Sequence, residues 1–213
     1  MKRICFVGDS ITEGHSDNAR LGWVGRLVQN VPIDFGIYNL GVSGQTLAEI
    51  QARAKDECRA RLDGREFKGI VLGAGLNDFN IYENGDPRTP LGEVKSSLNT
   101  LLDDLKNIAP LIVIGPFPVA EEFNPFFTQS VQANVVFTNA LIEEADQFYA
   151  GYCATKNIPY LSMINTLLDS DYMTSLREND GIHPHGDGYQ IAANIIQKWD
   201  AWQELSRAPE IIN

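Results

Sequence analysis

The sequence predicts an α/β protein, a three-layer α/β/α sandwich built on a five-stranded parallel sheet. Three observations predict this class. Five short apolar runs of strand length recur along the chain, amphipathic helical patterns separate them, and glycine or small polar residues follow most of the runs. Strands covered by helices on both faces are apolar throughout rather than alternating. We therefore expect a ligand-binding crevice at the edge of the sheet where the carboxyl ends of the strands meet.

The predicted strands and helices alternate. The strands cover residues 4–7, 35–40, 69–73, 111–115 and 159–161, and helical spacing is predicted at 22–28, 46–62, 92–107, 131–156 and after 188. Thr46 and Glu49 form a capping box that marks the start of the second helix. We see no internal repeat, low-complexity segment or linker, and we expect one domain over residues 1–213.

Two segments are predicted to be irregular loops, residues 80–90 and 119–130. The chain around the second loop is rich in aromatic residues: Phe117, Phe123, Phe126 and Phe127. Such a segment on the ligand-binding side can line an apolar pocket. It is equally compatible with a loop folded onto its own core or against another subunit.

Composition and charge exclude several classes of protein. The chain has 213 residues, 44% of them hydrophobic, which suits a globular protein with a full core. The formal net charge of −11 repels phosphate backbones and anionic membrane surfaces, so we expect neither a nucleic acid partner nor membrane insertion. The sequence is also compatible with a homo-oligomer.

The amino end and the cysteines indicate the compartment. The chain passes from Met1 almost directly into a strand, without a signal-peptide cleavage site, and no run approaches the ~18 apolar residues of a membrane span. Cys5, Cys58 and Cys153 are widely separated and odd in number, which favours buried thiols over a disulfide framework. We therefore expect a cytoplasmic protein.

Residues suited to acyl transfer follow three of the predicted strands and precede the last helix. They are Ser10, Gly44, Asn77 and the pair Asp180 and His183. A serine hydroxyl becomes a good nucleophile only when a base takes its proton, and the tetrahedral intermediate carries a new negative charge. His183 can be the base, and Asp180 is close enough along the chain to orient its ring. The backbone N–H groups of Ser10 and Gly44, with the Asn77 amide, can form an oxyanion hole.

Four blocks of sequence carry a resemblance to a known family. They are Gly8-Asp9-Ser10, Gly41-Val42-Ser43-Gly44, Gly75-Leu76-Asn77-Asp78 and Asp180-Gly181-Ile182-His183-Pro184. Because these four blocks occur in this order, the chain closely resembles the GDSL family of lipases and esterases, also called SGNH hydrolases. The resemblance extends from residue 4 to about residue 190.

This resemblance implies a flavodoxin-like fold and a serine hydrolase that acts without a metal or organic cofactor. It implies that Ser10 is the nucleophile, His183 the general base and Asp180 its orienting carboxylate, with Gly44 and Asn77 as oxyanion donors. The expected substrate is a small carboxylic ester. Acetylated carbohydrate, lysophospholipid, aryl ester and acyl thioester all stay open, because the two irregular loops match no known pattern.

Two other interpretations compete with a serine esterase. Asp9, Asn77, Asp78, His183 and His185 offer oxygen and imidazole ligands, so a metal-dependent hydrolase is an alternative. A non-catalytic module that keeps the fold and binds an acylated sugar or another protein is the second.

Two further histidines, His15 and His185, lack a carboxylate partner in the sequence pattern. We therefore expect them to be surface residues at the border of the site.

Overall fold

The five predicted parallel strands form one sheet in the computed structural model, which describes residues 2–207. The strands are β1 (Arg3–Gly8), β2 (Gly36–Gly41), β3 (Lys68–Gly73), β5 (Leu111–Ile114) and β8 (Tyr160–Leu161), in the spatial order β2-β1-β3-β5-β8. Every neighbouring pair is parallel. The fold class expected from the sequence is therefore confirmed.

Helices cover both faces of this sheet, as the apolar strands require. They are α1 (Ser10–Glu13), α2 (Gly22–Leu27), α3 (Leu47–Leu62), α4 (Leu91–Lys106), α5 (Asn139–Thr155), α6 (Ile164–Leu168), α7 (Tyr172–Arg177), α8 (Gly186–Gln197) and α9 (Asp200–Ser206). The predicted capping box starts α3, where the Thr46 N–H donates to Glu49 Oε2 over 2.8 Å.

Successive side chains of a strand point to opposite faces of the sheet, and this divides the core into two apolar clusters. Ile4 and Phe6 of β1 pack on one face with residues of α2, α7, α8 and α9. Cys5 and Val7 point to the other face and pack with α3 and α4. Because both faces are covered, the backbone of β1 lies in the middle of the molecule.

The two predicted loops each contain a short strand, and these strands belong to a second, small sheet. Its strands are β4 (Ile81–Tyr82), β6 (Phe126–Thr128) and β7 (Ala133–Val136), in the antiparallel order β4-β7-β6. The helix predicted over 131–156 is therefore wrong at its start, since residues 133–136 form a strand. The β-branched Val135 and Val136 pair with Phe126 and with β4, and the helix begins only after Thr138, whose side chain accepts the Leu141 N–H.

Two other boundaries differ from the sequence pattern. The stretch after β8, where no helix is predicted before residue 188, holds the short helices α6 and α7. The predicted final helix is two helices, α8 and α9, separated by Lys198 and Trp199, where Trp199 has an extended backbone.

Cys5, Cys58 and Cys153 are buried free thiols, as expected. Among the helices of residues 2–207, none combines the length and apolar character that crossing a lipid bilayer requires.

Helix α4 supplies a matched test of the core. Leu102 is fully buried, whereas Leu91 of the same helix is 54% exposed. We expect Leu102→Ala to lower the free energy of unfolding by roughly 2–5 kcal/mol, because it leaves a cavity beside the sheet. Leu91→Ala should change it by about 0.5 kcal/mol or less. Urea denaturation of both variants measures the difference, and equal effects would contradict the packing described.

Candidate active site

Three neighbouring strands end in glycine at one level of the sheet. Gly8 of β1 pairs in register with Gly41 of β2 and with Gly73 of β3. A Cβ atom on Gly8 would lie 2.2 Å from the Gly73 carbonyl oxygen, and one on Gly41 would lie 2.2 Å from the Glu13 nitrogen. The glycines therefore let α1 sit directly on the strand ends, where Thr12 Oγ1 donates to the Gly73 carbonyl over 2.7 Å.

Ser10, the first residue of α1, contacts a histidine from the far end of the chain. Its Oγ lies 2.8 Å from His183 Nε2. His183 Nδ1 lies 2.8 Å from Asp180 Oδ2, and Asp180 Oδ1 accepts the backbone N–H groups of Ile182 and His183 at 2.9 and 2.7 Å. Hydrogen bonds thus connect hydroxyl, imidazole and carboxylate in one continuous chain.

The Asp180 side chain stays ionised in this arrangement. Partial burial alone would raise its pKa, but the hydrogen bond and the charge of His183, with the backbone N–H groups, outweigh this effect and lower the pKa to about 2. A charged carboxylate at this place favours the ring tautomer that carries its proton on Nδ1, which leaves Nε2 free to accept a proton.

The other two predicted residues lie at the same edge. Gly44 follows β2 with a φ of +78°, a conformation that favours glycine. Asn77 follows β3, and its Nδ2 donates to the Gln45 carbonyl over 3.1 Å. An amide nitrogen has a second hydrogen to offer. Gly44 and Asn77 line the same cleft as Ser10 and His183.

This cleft has a volume of about 330 Å³. Apolar and polar residues both line it: Ser10, His15, Ser43, Gly44, Leu76, Asn77, Phe126, Phe127, Thr128, Gln129, Ser130, Phe137, Asp180, Ile182 and His183. Phe126 packs edge-on against Phe137 with ring centroids 5.6 Å apart and is buried, whereas Phe127 is 59% exposed. The aromatic segment therefore both packs onto the core and forms a wall of the cleft.

The two remaining histidines differ from each other. The His15 ring lies in the cleft with its centroid 4.6 Å from that of His183, and its Nδ1 lies 3.5 Å from Ser43 Oγ. His185 turns away, with Nε2 3.1 Å from the Glu178 carbonyl oxygen, and does not line the cleft. Only His15 occupies the bordering position expected of both.

Sequence reasoning missed the side chain that joins the walls of the cleft. Arg88, in the predicted loop 80–90, donates to the Gly44 carbonyl and to Ser130 Oγ, both over 3.0 Å. It also lies 3.4 Å from Asn77 Oδ1. A lone arginine in a loop of unknown conformation carries no signal that points to these contacts.

The ligand set of the metal alternative is not assembled. Within residues 2–207, no group of three or more His, Cys, Asp or Glu side chains is placed to hold a metal ion. Asp9 instead accepts the Ile11 N–H over 3.1 Å, and Asp78 Oδ2 accepts the Leu47 N–H over 2.9 Å. Both carboxyl groups therefore act as hydrogen-bond acceptors for the backbone rather than as ligands of a metal ion.

Burial changes the ionisation of these two carboxyl groups. It raises the pKa of Asp9 to about 6 and that of Asp78 to about 7, against an ordinary value of 3.8. The charge of Asp9 adds to the effect on Asp78. From about pH 4 to pH 7 the folded chain therefore keeps a proton on Asp78 that the unfolded chain has released, and the free energy of unfolding falls as the pH rises through this window.

Asp78→Asn tests this linkage, because an amide oxygen can still accept the Leu47 N–H and does not titrate. Between pH 4 and pH 8 the free energy of unfolding should fall less in the variant than in the wild type. We expect the two decreases to differ by on the order of 2–4 kcal/mol. Urea denaturation at several pH values measures it, and the exposed Asp34→Asn is the control. Parallel curves for wild type and Asp78→Asn would contradict the shifted pKa.

The comparison with protein families gives a match over most of the chain. The GDSL-like Lipase/Acylhydrolase family model matches residues 6–191, a range that contains every site residue named above. No curated protein matches the chain significantly in sequence.

Solved structures with this fold cover nearly the whole chain. A lipase/acylhydrolase from Enterococcus faecalis has a TM-score of 0.73 at 19% identity, over 98% of this chain and 100% of that one. An acetylxylan esterase from Geobacillus stearothermophilus has a TM-score of 0.66 at 18% identity, over 98% and 97%. An aryl esterase from M. smegmatis has a TM-score of 0.63 at 17% identity, over 92% and 99%.

At these identities the structural likeness shows the shared fold, which confirms the SGNH hydrolase fold expected from the sequence. The family match covers most of the chain and shows the reaction class. The chain belongs to the GDSL-like lipase/acylhydrolase family, and it is a carboxylic ester hydrolase.

Proposed function

We propose that this enzyme cleaves small carboxylic esters by nucleophilic attack of Ser10, through an acyl-enzyme intermediate. The observation that carries the proposal is the hydrogen-bonded chain from Ser10 Oγ to His183 Nε2 and from His183 Nδ1 to Asp180 Oδ2, each link 2.8 Å long. Nucleophile, base and orienting carboxylate are thus within the distance that proton transfer requires.

The first half-reaction acylates the serine. His183 Nε2 takes the Ser10 proton as Oγ attacks the carbonyl carbon of the ester, and the C=O double bond opens to a tetrahedral oxyanion. The protonated His183 then gives its proton to the alcohol oxygen, which leaves as the C–O bond breaks. The ionised Asp180 stabilises the imidazolium between the two transfers.

The oxyanion of this intermediate needs donors that are already in place. The first N–H groups of a helix have no partner within the helix, so Ser10 N–H at the start of α1 is available. We assign the Gly44 N–H and the second Asn77 amide hydrogen as the other donors. Each such donor contributes roughly 3–4 kcal/mol to transition-state stabilisation in serine hydrolases.

Water completes the cycle. A water molecule takes the place of the alcohol, and His183 removes its proton as the water oxygen attacks the acyl carbon. The protonated His183 then returns the proton to Ser10 Oγ as the bond between Oγ and the acyl carbon breaks, which releases the carboxylic acid and restores Ser10. The same base therefore serves both halves of the reaction.

The cleft supports a small ester as substrate. Its volume of about 330 Å³ and its wall of Leu76, Phe126, Phe137 and Ile182 suit a short acyl or aryl group next to Ser10. The net charge of −11 disfavours polyanionic substrates. An acetyl or aryl ester, or a thioester, fits this description, and we assign the whole activity to one domain.

Ser10→Ala removes the proposed nucleophile. We expect it to abolish hydrolysis of a short-chain p-nitrophenyl ester and labelling by a fluorophosphonate, while the melting temperature stays close to that of the wild type. Ser96→Ala on the exposed face of α4 is the matched control and should keep full activity. If the wild type neither hydrolyses esters or thioesters nor takes the label, a non-catalytic binding module becomes the better interpretation.

His183→Gln and His185→Gln form a second matched pair, only two positions apart. His183→Gln should reduce kcat/KM by several orders of magnitude, because Ser10 loses its base. His185→Gln should stay near the wild type, since that ring faces the Glu178 carbonyl rather than the cleft. Equal losses in the two variants would contradict the assignment of the base.

A further inference from the structure

We propose that Arg88 is a positioning residue that holds the oxyanion hole in its active geometry. This inference rests on the proposed serine mechanism, because it assigns a task to a side chain that touches the proposed donors rather than the substrate. Arg88 does not line the cleft. It contacts three residues that do line it, Gly44, Asn77 and Ser130.

One guanidinium group contacts three segments of the cleft wall. One terminal nitrogen donates to the Gly44 carbonyl oxygen and to Ser130 Oγ, both over 3.0 Å, and the other lies 3.4 Å from Asn77 Oδ1. Gly44 follows β2, Asn77 follows β3, and Ser130 lies between β6 and β7. The two proposed donor residues thus share a single cationic partner.

The chemistry of the guanidinium decides how the Asn77 amide is oriented. Arginine has donors but no acceptor, so the amide atom that faces it is the oxygen. The amide nitrogen then points the other way, where one hydrogen goes to the Gln45 carbonyl at 3.1 Å and the second is free for the oxyanion. Two contacts distinguish this amide orientation from the flipped one, that of Asn77 Oδ1 with Arg88 and that of Asn77 Nδ2 with the Gln45 carbonyl. Removing Arg88 removes the first of them.

The Gly44 contact acts on the backbone. Gly44 has a positive φ of +78° and no side chain, so its peptide units have more freedom than those of other residues. The hydrogen bond from Arg88 to the Gly44 carbonyl restricts this freedom next to the proposed donor N–H. A misplacement of about 1 Å at such a donor costs on the order of 100-fold in rate.

Arg88 is itself held by the segment that it supports. Its backbone N–H donates to the Asn80 carbonyl over 3.0 Å, and Asn80 Nδ2 donates to the Asn77 carbonyl over 3.0 Å. Ile81, next to Asn80, forms a bridge with Pro87 and pairs with β7. The loop therefore returns Arg88 to the end of β3 in a defined position.

A purely structural role is the competing explanation, because the charge of Arg88 also acts on the buried Asp78. The experiment therefore separates catalytic rate from the amount of folded enzyme. The variants are Arg88→Met, which keeps an unbranched stem but has no donors, and Arg88→Lys, which keeps the charge. The exposed Arg65→Met is the control.

Fluorophosphonate titration counts the active sites, and a p-nitrophenyl ester then gives kcat per active site and KM. We expect Arg88→Met to lower kcat per site by roughly 10- to 100-fold with KM within about threefold, since the donors act in the transition state. The kcat per site of Arg88→Lys should lie between those of the wild type and Arg88→Met, because an ammonium group cannot reach all three acceptors as a planar guanidinium does. A third variant, Arg88→Ala, leaves space for a free guanidinium ion, so methylguanidinium should restore part of its kcat. Arg65→Met should match the wild type.

Three results would overturn the inference while leaving the serine mechanism intact. They are an unchanged kcat per site in Arg88→Met, a raised KM at constant kcat, and a loss of activity explained wholly by fewer titrated sites. If Arg88→Met does not fold, Arg88→Lys and the guanidinium rescue decide the question. A wild-type enzyme that takes no label would refute the serine mechanism itself.

Discussion

The register of three parallel strands is the constraint on which the rest of the site depends. Gly8, Gly41 and Gly73 lie side by side at one level, so the residues that follow them emerge together. The absence of side chains at Gly8 and Gly41 lets α1 rest on the strand ends. That position brings Ser10 within 2.8 Å of His183, 173 residues further along the chain. Local sequence patterns and the geometry of the sheet together bring these two distant parts of the chain into contact.

The same constraint explains how much the sequence alone could predict. Each of the five strands contains a short apolar run that the sequence shows, although the edge strands β2 and β8 are only partly buried. The polar residues beyond the strands mark one edge of the sheet. Ser10, Gly44 and Asn77 follow three adjacent strands, and Asp180 and His183 are close in sequence. Their meeting at one edge follows from topology, and the structure does bring them into one cleft.

What could not be predicted depends on contacts between distant segments. Val135 and Val136 fit a helical spacing as well as a strand, and only their pairing with Phe126 and β4 decides in favour of the strand. Thr138 was the one local signal for the true helix start. Arg88 acquires its role only because loop 80–90 folds back onto the end of β3, a path that no residue pattern encodes.

The buried carboxyl groups show what the geometry of the site costs. Asp9 and Asp78 are removed from water, which is why their pKa values are raised, yet each accepts a backbone N–H at the start of a helix. Asp9 holds the first turn of α1, which carries Ser10. Asp78 holds the first residue of α3, three positions after Gly44. The energy lost in burying these groups is therefore tied to the placement of the proposed nucleophile and of a proposed oxyanion donor, as expected where function rather than stability selects the residue.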